Sequence, residues 1–227
     1  MYLLTKIPLT TVELRWHSPL LGLGSLRARQ LRGAIAQAFP EDSRFHQHDA
    51  QGQLLYRYPL IQYRWREGYG LITGWHQVAE MLLNVSWLDL PLQLGEDSVL
   101  VTEAVINTQA AQFGISEYLL HYCFFTPVLL FNQDNYKKYK QLNTHAQRYE
   151  SDRLLRAQLL VALRGVGVEF NTQLYAAFAR VETVNCRYKN QTMMGLTGGF
   201  VTNALLPEGF SMGHAVSHGY GWITRFL

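Results

Sequence analysis

The hydrophobic positions of the first hundred residues alternate between strand and helix spacing. In TVELRWH every second residue is apolar, which predicts a half-buried strand. In SLRARQLRGAIAQAFP the apolar residues recur at helical spacing, with Ser25 as the expected cap and Pro40 as the end. The predicted buried stripe of this helix consists of Leu31, Ala34, Ile35 and Ala38.

The elements that follow complete a recognisable order. Strands are predicted for LLYRYP, IQYRW and YGLITGW, then a helix for HQVAEMLLNVSW and a strand for VLVTEAVI. The order strand, helix, strand, strand, helix, strand is typical of a ferredoxin-like sandwich, an α+β fold with an antiparallel sheet. The same sheet type presents its open face to single-stranded RNA in RNA-recognition modules.

The second half repeats part of this order. A strand region, EYLLHYCFFTPVLLF, precedes a helix over SDRLLRAQLLVALRG with Ser151 as the expected cap and Gly165 as the end. Two strands follow, and a glycine-rich segment stands where a second helix is expected. The predicted fold is therefore α+β with two tandem ferredoxin-like domains, residues 1–97 and 98–227, the second incomplete and ending in a glycine-rich loop.

Composition narrows the class of protein only slightly. The 227 residues carry 20 Lys and Arg against 17 Asp and Glu, so the net charge of +3 does not by itself indicate a nucleic-acid binder. The N-terminus lacks a signal-peptide pattern, and no uncharged apolar stretch reaches the roughly 18 residues of a membrane span. We therefore expect a soluble, cytoplasmic protein with no membrane partner. Cys123 and Cys186 are expected to be free, buried thiols.

The pair His46 and His48, in FHQHD, is open to three interpretations. Zinc takes three or four ligands, and no second His or Cys cluster occurs at ligand spacing, so no metal site and no cofactor are predicted. The histidines can be solvated loop residues. They can also be acid–base catalysts, because imidazole titrates near neutral pH.

Two stretches combine basic and aromatic residues. After residue 55, arginines, which can bind phosphate, alternate with aromatic rings, which can stack on unpaired bases. The residues are Tyr56, Arg57, Tyr58, Tyr63, Arg64, Trp65 and Arg66. DNYKKYK adds a second basic patch with Lys137, Lys138 and Lys140. An ordinary solvated surface is the alternative for both stretches.

The C-terminal glycines are the third candidate feature. Gly209, Gly213, Gly219 and Gly221 surround His214, Ser217 and His218. Glycine allows backbone conformations in which exposed amides can cradle a phosphate. A tight turn between strands is the alternative, and no phosphate-binding GKS or GKT follows.

Taken together, LRGAIAQAF, FHQHD, YRYPLIQYR, FNQDNYKKYKQL and GFVTNALLPEGFSMGHAVSHGYG resemble the CRISPR-associated endoribonuclease family that processes precursor CRISPR RNA. The resemblance runs from about Leu31 to Trp222. It implies two ferredoxin-like domains and metal-independent cutting by attack of a 2′-hydroxyl. Related enzymes place a histidine in the connection after the first helix, where this chain has His46 and His48, and either one is then the general base or the acid.

The resemblance also implies a set of site residues and partners. The catalytic candidates are His46, His48, Tyr56 and Arg32. The RNA-binding candidates are Arg29, Arg57, Tyr58, Arg64, Lys137, Lys138, Lys140, Gly213, His214, Ser217, His218 and Gly219. The implied partner is CRISPR repeat RNA, with a CRISPR effector complex as a further partner and a monomer or homodimer as the assembly.

One departure from the family carries its own expectation. Many relatives have lysine or arginine where this chain has His214 and His218. RNA affinity is then expected to rise as the pH falls towards 6, where histidines become charged. Two other functions stay open on the sequence alone: a non-catalytic repeat-binding subunit of an effector complex, and a ferredoxin-like interaction module without RNA.

Overall fold

The computed structural model describes residues 4–45, 58–188 and 191–225. These residues divide into two compact units. The first unit contains Ile7–Ala111 and the short segment Ser217–Gly219, and the second contains Met1–Lys6, Gln112–Val216 and Tyr220–Leu227. Within the described parts of the chain, none of the helices combines the length and the apolar composition that a membrane-spanning segment requires.

The first unit has the strand order of a ferredoxin-like sheet. Its elements are β1 (Thr5–Arg15), α1 (Gly24–Ala38), β2 (Ile61–Arg66), β3 (Tyr69–Trp75), α2 (Gln77–Leu83), β4 (Pro91–Leu94), β5 (Asp97–Leu100) and the start of β6 (Glu103–Phe124). The strands lie in the order β2-β3-β1-β6, with β3 antiparallel to both β1 and β2. β4 and β5 form a separate two-stranded sheet.

The core of the first unit follows the apolar periodicity. Val12 and Leu14 of β1 are fully buried, as are Leu31 and Ile35 of α1. Burying one such side chain contributes about 1.5–3 kcal/mol, so both faces stabilise the unit. Across the sheet, the rings of Trp16 and Trp65 stack with centroids 5.3 Å apart. The burial predicted for Val12, Leu14, Leu31 and Ile35 is confirmed.

The start of α1 differs from the prediction that Ser25 caps it. Leu23 takes the extended cap conformation, and no side chain caps the helix. Arg27 holds the preceding turn instead, because its Nε and Nη2 atoms donate to the Leu21 carbonyl at 2.9 and 2.7 Å. Its Nη1 atom also donates to Asp97 at 2.6 Å, which ties the β4–β5 hairpin to the helix.

The second unit repeats the same strand order. It continues β6 and adds α3 (Gln133–Gln141), α4 (Thr144–Gly165), β7 (Ala176–Tyr188), β8 (Gln191–Leu205) and β9 (Ile223–Arg225). β6 pairs with β8 and with β9, and β8 pairs with β7, which gives the order β9-β6-β8-β7. Between β8 and β9, where a ferredoxin-like unit has its second helix, the chain forms a 3₁₀ turn at Val216–His218.

The long strand β6 explains where the two units part. The sequence placed the domain boundary at residue 97, whereas the compact units divide between Ala111 and Gln112. That position lies inside β6, which is continuous from Glu103 to Phe124. The division therefore falls within one strand and not in a loop between elements.

Helix α4 begins earlier than predicted. Asn143 is its cap, since the Asn143 side chain accepts a hydrogen bond from the Ala146 amide at 2.9 Å. Ser151, the predicted cap, lies within the helix and is buried, and its hydroxyl donates to the Gln147 carbonyl at 2.9 Å. The predicted end at Gly165 is confirmed.

The C-terminal glycines allow close backbone packing. Gly221 has a φ of 69°, and a Cβ added there would overlap the carbonyl oxygen of Met212. Gly213 has a φ of 97°, and a Cβ there would lie 2.7 Å from Val128 Cγ2 and 2.9 Å from the Leu129 carbonyl oxygen. Neither position accommodates a side chain without a backbone shift.

We predict opposite stability effects for two Gly→Ala substitutions. Gly221→Ala should lower the free energy of unfolding by about 3 kcal/mol, because it adds left-handed strain to a clash with backbone. Gly33→Ala should raise it by about 0.5–1 kcal/mol, because Gly33 lies within α1 and an added Cβ meets nothing within 4 Å. Urea unfolding midpoints of the two variants and the wild type measure both effects. A Gly221→Ala midpoint equal to that of the wild type would contradict the packing role.

Candidate functional site

The candidate site of the first unit forms where the segment Ser217–Gly219 meets α1 and β2. Gly219 has a φ of 83°, and a Cβ there would lie 2.9 Å from the Ala28 Cβ and 3.2 Å from the Tyr63 carbonyl oxygen. Only glycine fits this approach of backbone to helix and strand. Arg32 lies one helical turn after Ala28, so the approach brings the neighbouring residue, His218, to its side chain.

Arg32 and His218 form the central contact of the site. The Nη1 atom of Arg32 lies 2.6 Å from Nε2 of His218. A guanidinium group can only donate hydrogen bonds, so Nε2 accepts and the ring proton is on Nδ1. His218 is therefore a neutral imidazole in this contact. His218 is 7% exposed, whereas Arg32 is half-buried.

The hydroxyl of Tyr63 lies close to this pair. It is buried and has no hydrogen-bond partner among the described residues. Burial raises the pKa of Tyr63, the charge of Arg32 acts in the opposite direction, and the charge of Asp42 raises the pKa further. The hydroxyl thus keeps its proton at neutral pH.

A second polar chain runs along β2. Arg64 is 3% exposed, and its Nη2 atom donates to Gln62 Oε1 at 2.9 Å. Gln62 Nε2 in turn donates to the Tyr58 hydroxyl at 2.8 Å, and burial raises the pKa of Tyr58. Gln62 thus links the buried Arg64 guanidinium to the Tyr58 hydroxyl through hydrogen bonds at both ends of its amide.

This network places Arg64 differently from the sequence interpretation. Strand alternation put Arg64 and Arg66 on one accessible face, with both available to RNA. The structure buries Arg64 close to Gly219, whereas Arg66 is exposed and donates to Glu13 at 2.7 Å. Arg64 therefore has no surface to offer RNA in this structure, because alternation assigns a face but does not show what covers it.

The other predicted residues are distributed as follows. His46, His48, Tyr56 and Arg57 lie outside the described residues. Arg29 is exposed on α1, and three exposed lysines lie on α3 of the second unit, namely Lys137, Lys138 and Lys140. The Lys140 ammonium lies 4.9 Å from the centre of the Tyr136 ring. Within the ranges that the structure describes, no group of three His, Cys, Asp or Glu side chains is arranged to hold a metal ion.

The glycine-rich segment is more enclosed than a phosphate cradle requires. Ser217 and His218 are 5% and 7% exposed. In the second unit, the amide of His214 donates to the Leu129 carbonyl at 2.8 Å, so this amide is not available to a phosphate. The sequence assigned these residues to RNA through exposed amides, whereas Gly213 and Gly219 serve close packing here.

The histidines of this segment also bear on the expected pH dependence. Burial lowers the pKa of His214, and His218 accepts a hydrogen bond from a permanent cation. Burial thus favours the neutral form of the His214 ring. The lowered pKa of His214 works against the expectation that this residue becomes charged as the pH falls towards 6, and for His218 that expectation stays a prediction.

Sequence reasoning missed two members of the site. Tyr63 was assigned to the core because it alternates with Ile61 and Trp65, and its ring is indeed buried. Its hydroxyl at the edge of that core carries no sequence signal. Gln62 was placed on a solvent face, and its role as the link between Arg64 and Tyr58 depends on burial.

Comparison with known proteins covers both halves of the chain. The Cas6b N-terminal domain model matches residues 5–112, and the Cas6b C-terminal domain model matches residues 114–226. An uncharacterized protein of Methanocaldococcus jannaschii is 24% identical over 148 residues, which is 65% of this chain and 98% of the relative.

Solved structures agree with the fold. A crystal structure of Cas6b covers 98% of this chain and 100% of its own, with a TM-score of 0.87 and 23% identity. The crystal structure of a CRISPR RNA processing endoribonuclease Cas6b covers 96% and 100%, with a TM-score of 0.72 and 22% identity. At these identities the structural likeness establishes the fold, and the predicted tandem ferredoxin-like architecture is confirmed.

We predict that two arginines on the same strand differ sharply in their effect on stability. Arg64→Ala should lower the free energy of unfolding by about 2–4 kcal/mol, because it leaves the buried Gln62 oxygen without its donor and opens a cavity. Arg66→Ala, the matched control, should cost less than about 1 kcal/mol, because an exposed ion pair contributes little. Urea unfolding of both variants measures the difference, and equal costs would contradict the network.

We further predict that His214 makes the protein less stable in mild acid. The unfolded chain takes up a proton at His214 near pH 6.5, whereas burial lowers the pKa of His214 in the folded protein. Between these two pKa values the unfolded state binds more protons than the folded state. The stability that neutral His214 contributes is therefore complete above about pH 6.5 and is lost as the pH falls through the folded pKa. His214→Gln should therefore flatten the loss of unfolding free energy between pH 7.5 and pH 5.5.

The control for this measurement is His145→Gln, since His145 is exposed at the start of α4. This variant should keep the wild-type dependence on pH. If His214→Gln and His145→Gln gave the same slope, the buried state of His214 would not be the cause.

Proposed function

The chain belongs to the Cas6b family, and from this premise we propose that it is an endoribonuclease that binds CRISPR repeat RNA and processes precursor CRISPR RNA. The observation that carries the proposal is that both Cas6b domain models match and together extend over nearly the whole chain. The site geometry supports it, because a half-buried guanidinium group on α1 is held in place by a histidine.

We propose that the reaction is a metal-independent transesterification. The 2′-hydroxyl upstream of the cut gives its proton to a base, and its oxygen attacks the adjacent phosphorus. The bond from phosphorus to the 5′-oxygen breaks, and that oxygen takes a proton from an acid. The products carry a 2′,3′-cyclic phosphate and a 5′-hydroxyl, so the substrate supplies the nucleophile and the protein needs to move only protons.

One of His46 and His48 is the proposed general base or general acid. Imidazole can take up and release a proton near neutral pH, which suits either role. The chain leaves α1 at Ala38 and forms a short 3₁₀ turn at Ser43–Phe45, directly before His46. We assign Tyr56 the role of orienting the attacking hydroxyl. These three assignments rest on the sequence resemblance, since the residues lie outside the described ranges.

Arg32 is the proposed electrostatic residue. The pentacovalent phosphorus carries more negative charge than the ground state, and a positioned cation stabilises that charge selectively. Removing one such donor typically costs about a hundred- to thousandfold in rate. The exposed Arg29 is a proposed contact for the flanking RNA backbone.

The exposed lysines of α3 are proposed to bind RNA elsewhere along the strand. Lys137 and Lys138 are exposed, and Lys140 lies beside an aromatic ring on the same helix. Lysines at a surface bind phosphate as point charges, so their contribution should weaken as salt rises. The overall charge of +3 leaves room for few such contacts.

We predict that the chain cuts its repeat RNA in excess EDTA and that His46→Ala or His48→Ala lowers the rate by roughly a hundred- to ten-thousandfold. The reason is that proton transfer at the cut site depends on a positioned imidazole. Single-turnover cleavage of end-labelled repeat RNA measures the rate, and the matched control is His145→Ala, which should cut like the wild type.

A repeat RNA with a single 2′-deoxy nucleotide at the cut site completes this experiment. It should bind like the unmodified RNA and resist cleavage, because the nucleophile is missing. Cleavage of the deoxy RNA would exclude 2′-hydroxyl attack, and loss of activity in EDTA would exclude metal independence. Tight binding of unmodified RNA without any cut would point to a non-catalytic repeat-binding subunit.

A further inference from the structure

A cavity in the second unit gathers large side chains that the fold leaves exposed. Its volume is about 300 Å³, and its lining includes Leu119 of β6, Tyr149, Asp152 and Arg156 of α4, and Tyr175 directly before β7. Tyr149 is 65% exposed, Leu119 is 53% exposed and Tyr175 is 51% exposed. Large apolar side chains that are exposed together around one cavity, and not singly, indicate a binding surface.

Three side chains of this lining share one face of α4. Tyr149, Asp152 and Arg156 follow one another at spacings of three and four residues, which places them in one row along the helix. This row is fixed against β7, because the Phe178 amide donates to Asp152 Oδ1 at 2.8 Å. The cavity therefore lies between a helix and a strand that are joined by a direct hydrogen bond.

The backbone that carries Tyr175 is held by two buried polar side chains. The Tyr175 amide donates to Asn203 Oδ1 at 2.8 Å, and the Tyr175 carbonyl accepts from Thr202 Oγ1 at 2.6 Å. Asn203 Nδ2 also donates to the Gln173 carbonyl at 3.0 Å. Thr202 is fully buried and Asn203 is 8% exposed. This anchoring fixes an exposed tyrosine in advance, which lowers the entropy that it loses when a ligand binds.

The charged groups of the cavity have capacity left for a ligand. Among the described residues Arg156 has neither an ion pair nor a hydrogen bond, whereas Arg153 on the same helix makes two bonds of 2.7 Å to Glu150. Asp152 uses Oδ1 for the Phe178 amide, and its Oδ2 has no partner within the same ranges. The lining thus offers a cation, a carboxylate oxygen and two aromatic side chains.

An unpaired guanosine nucleotide matches each of these groups. Aromatic rings stack on unpaired bases, whose edges are then read by hydrogen bonds. The Watson–Crick edge of guanine carries two neighbouring donors, N1–H and the N2 amino group, which suit a carboxylate because it can only accept. Adenine, cytosine and uracil each place an acceptor beside the donor on that edge, and this acceptor repels the carboxylate. The guanidinium group of Arg156 suits the adjoining phosphate.

We propose that this cavity is a subsite for one unpaired guanosine of the bound RNA. The base stacks against Tyr149 and Tyr175, its donor edge meets Asp152 Oδ2, and its phosphate meets Arg156. The proposal rests on the proposed function for its RNA partner, and it concerns binding and not cutting. It gives the second unit a base preference, which lysines that bind phosphate as point charges do not supply.

Fluorescence anisotropy tests the stacking contacts with labelled oligouridine RNAs that carry one central guanosine, adenosine, cytidine or no replacement. The guanosine RNA should bind the wild type most tightly. Tyr149→Ala and Tyr175→Ala should each weaken its binding by about five- to hundredfold, which is the effect of losing one stacked base, and Tyr149→Trp should restore it. Tyr118→Ala is the matched control, because Tyr118 is 75% exposed on β6 but does not line the cavity.

Two charge variants test the base edge and the phosphate separately. Asp152→Asn keeps an oxygen for the Phe178 amide and puts a donor in place of Oδ2, so the preference for guanosine should disappear while thermal melting stays near that of the wild type. Arg156→Gln should weaken all four RNAs alike and lower the slope of log affinity against log salt by about 0.7. Arg153→Gln, which removes an arginine already paired with Glu150, should leave that slope nearly unchanged.

The outcomes also separate this subsite from the proposed function. Equal affinity of the wild type for all four RNAs, or a guanosine preference that survives in Asp152→Asn, would overturn the subsite even if repeat RNA were cut in EDTA. A guanosine preference in a protein that cuts no repeat RNA would support the subsite and exclude the reaction. Sedimentation velocity covers a protein partner: a dimer that dissociates in Tyr149→Ala and Tyr175→Ala, with RNA affinity unchanged, would make the cavity an interface between copies and overturn the proposal.

Discussion

The close approach of Gly219 to α1 and β2 is the constraint on which the candidate site depends. The missing side chain of Gly219 and the small side chain of Ala28 allow the backbone of a distant segment to lie against the helix. Because side chains four residues apart share a helix face, Arg32 then meets the residue before that glycine. A local property of one backbone position thus determines a polar contact across 186 residues of sequence.

The polar groups around this contact share an electrostatic character. Arg64 is buried but bonded to a neutral amide, Arg32 is bonded to a neutral imidazole, and the Tyr63 hydroxyl keeps its proton. Burial of charge is costly unless hydrogen bonds replace water. Gln62 and His218 supply such hydrogen bonds to Arg64 and Arg32, so each guanidinium group has at least one polar partner from the segment or strand beside it.

The sequence predicted what local periodicity determines. Val12 and Leu14 alternate, Leu31 and Ile35 recur at helical spacing, and both patterns survive because each element buries one face. Two predicted helix caps were wrong, because contacts outside the local pattern determine where each helix begins. Arg27 secures the turn before α1, and Asn143 caps α4 ahead of Ser151. The burial of Arg64 and the pairing of His218 depend on which distant segment covers β2 and α1, and no spacing along the chain encodes that.

The glycine-rich segment shows how one motif can satisfy two demands that sequence alone does not separate. Glycines expose amides only where the backbone is open, and they permit close contact only where it is enclosed. In this chain Gly213 meets Leu129 and Gly219 meets Ala28, so enclosure prevails. Phosphate recognition at such a place cannot rely on backbone amides, because enclosed amides do not reach the ligand. The enclosed segment instead contacts a polar side chain, since His218 meets Arg32 on the neighbouring helix.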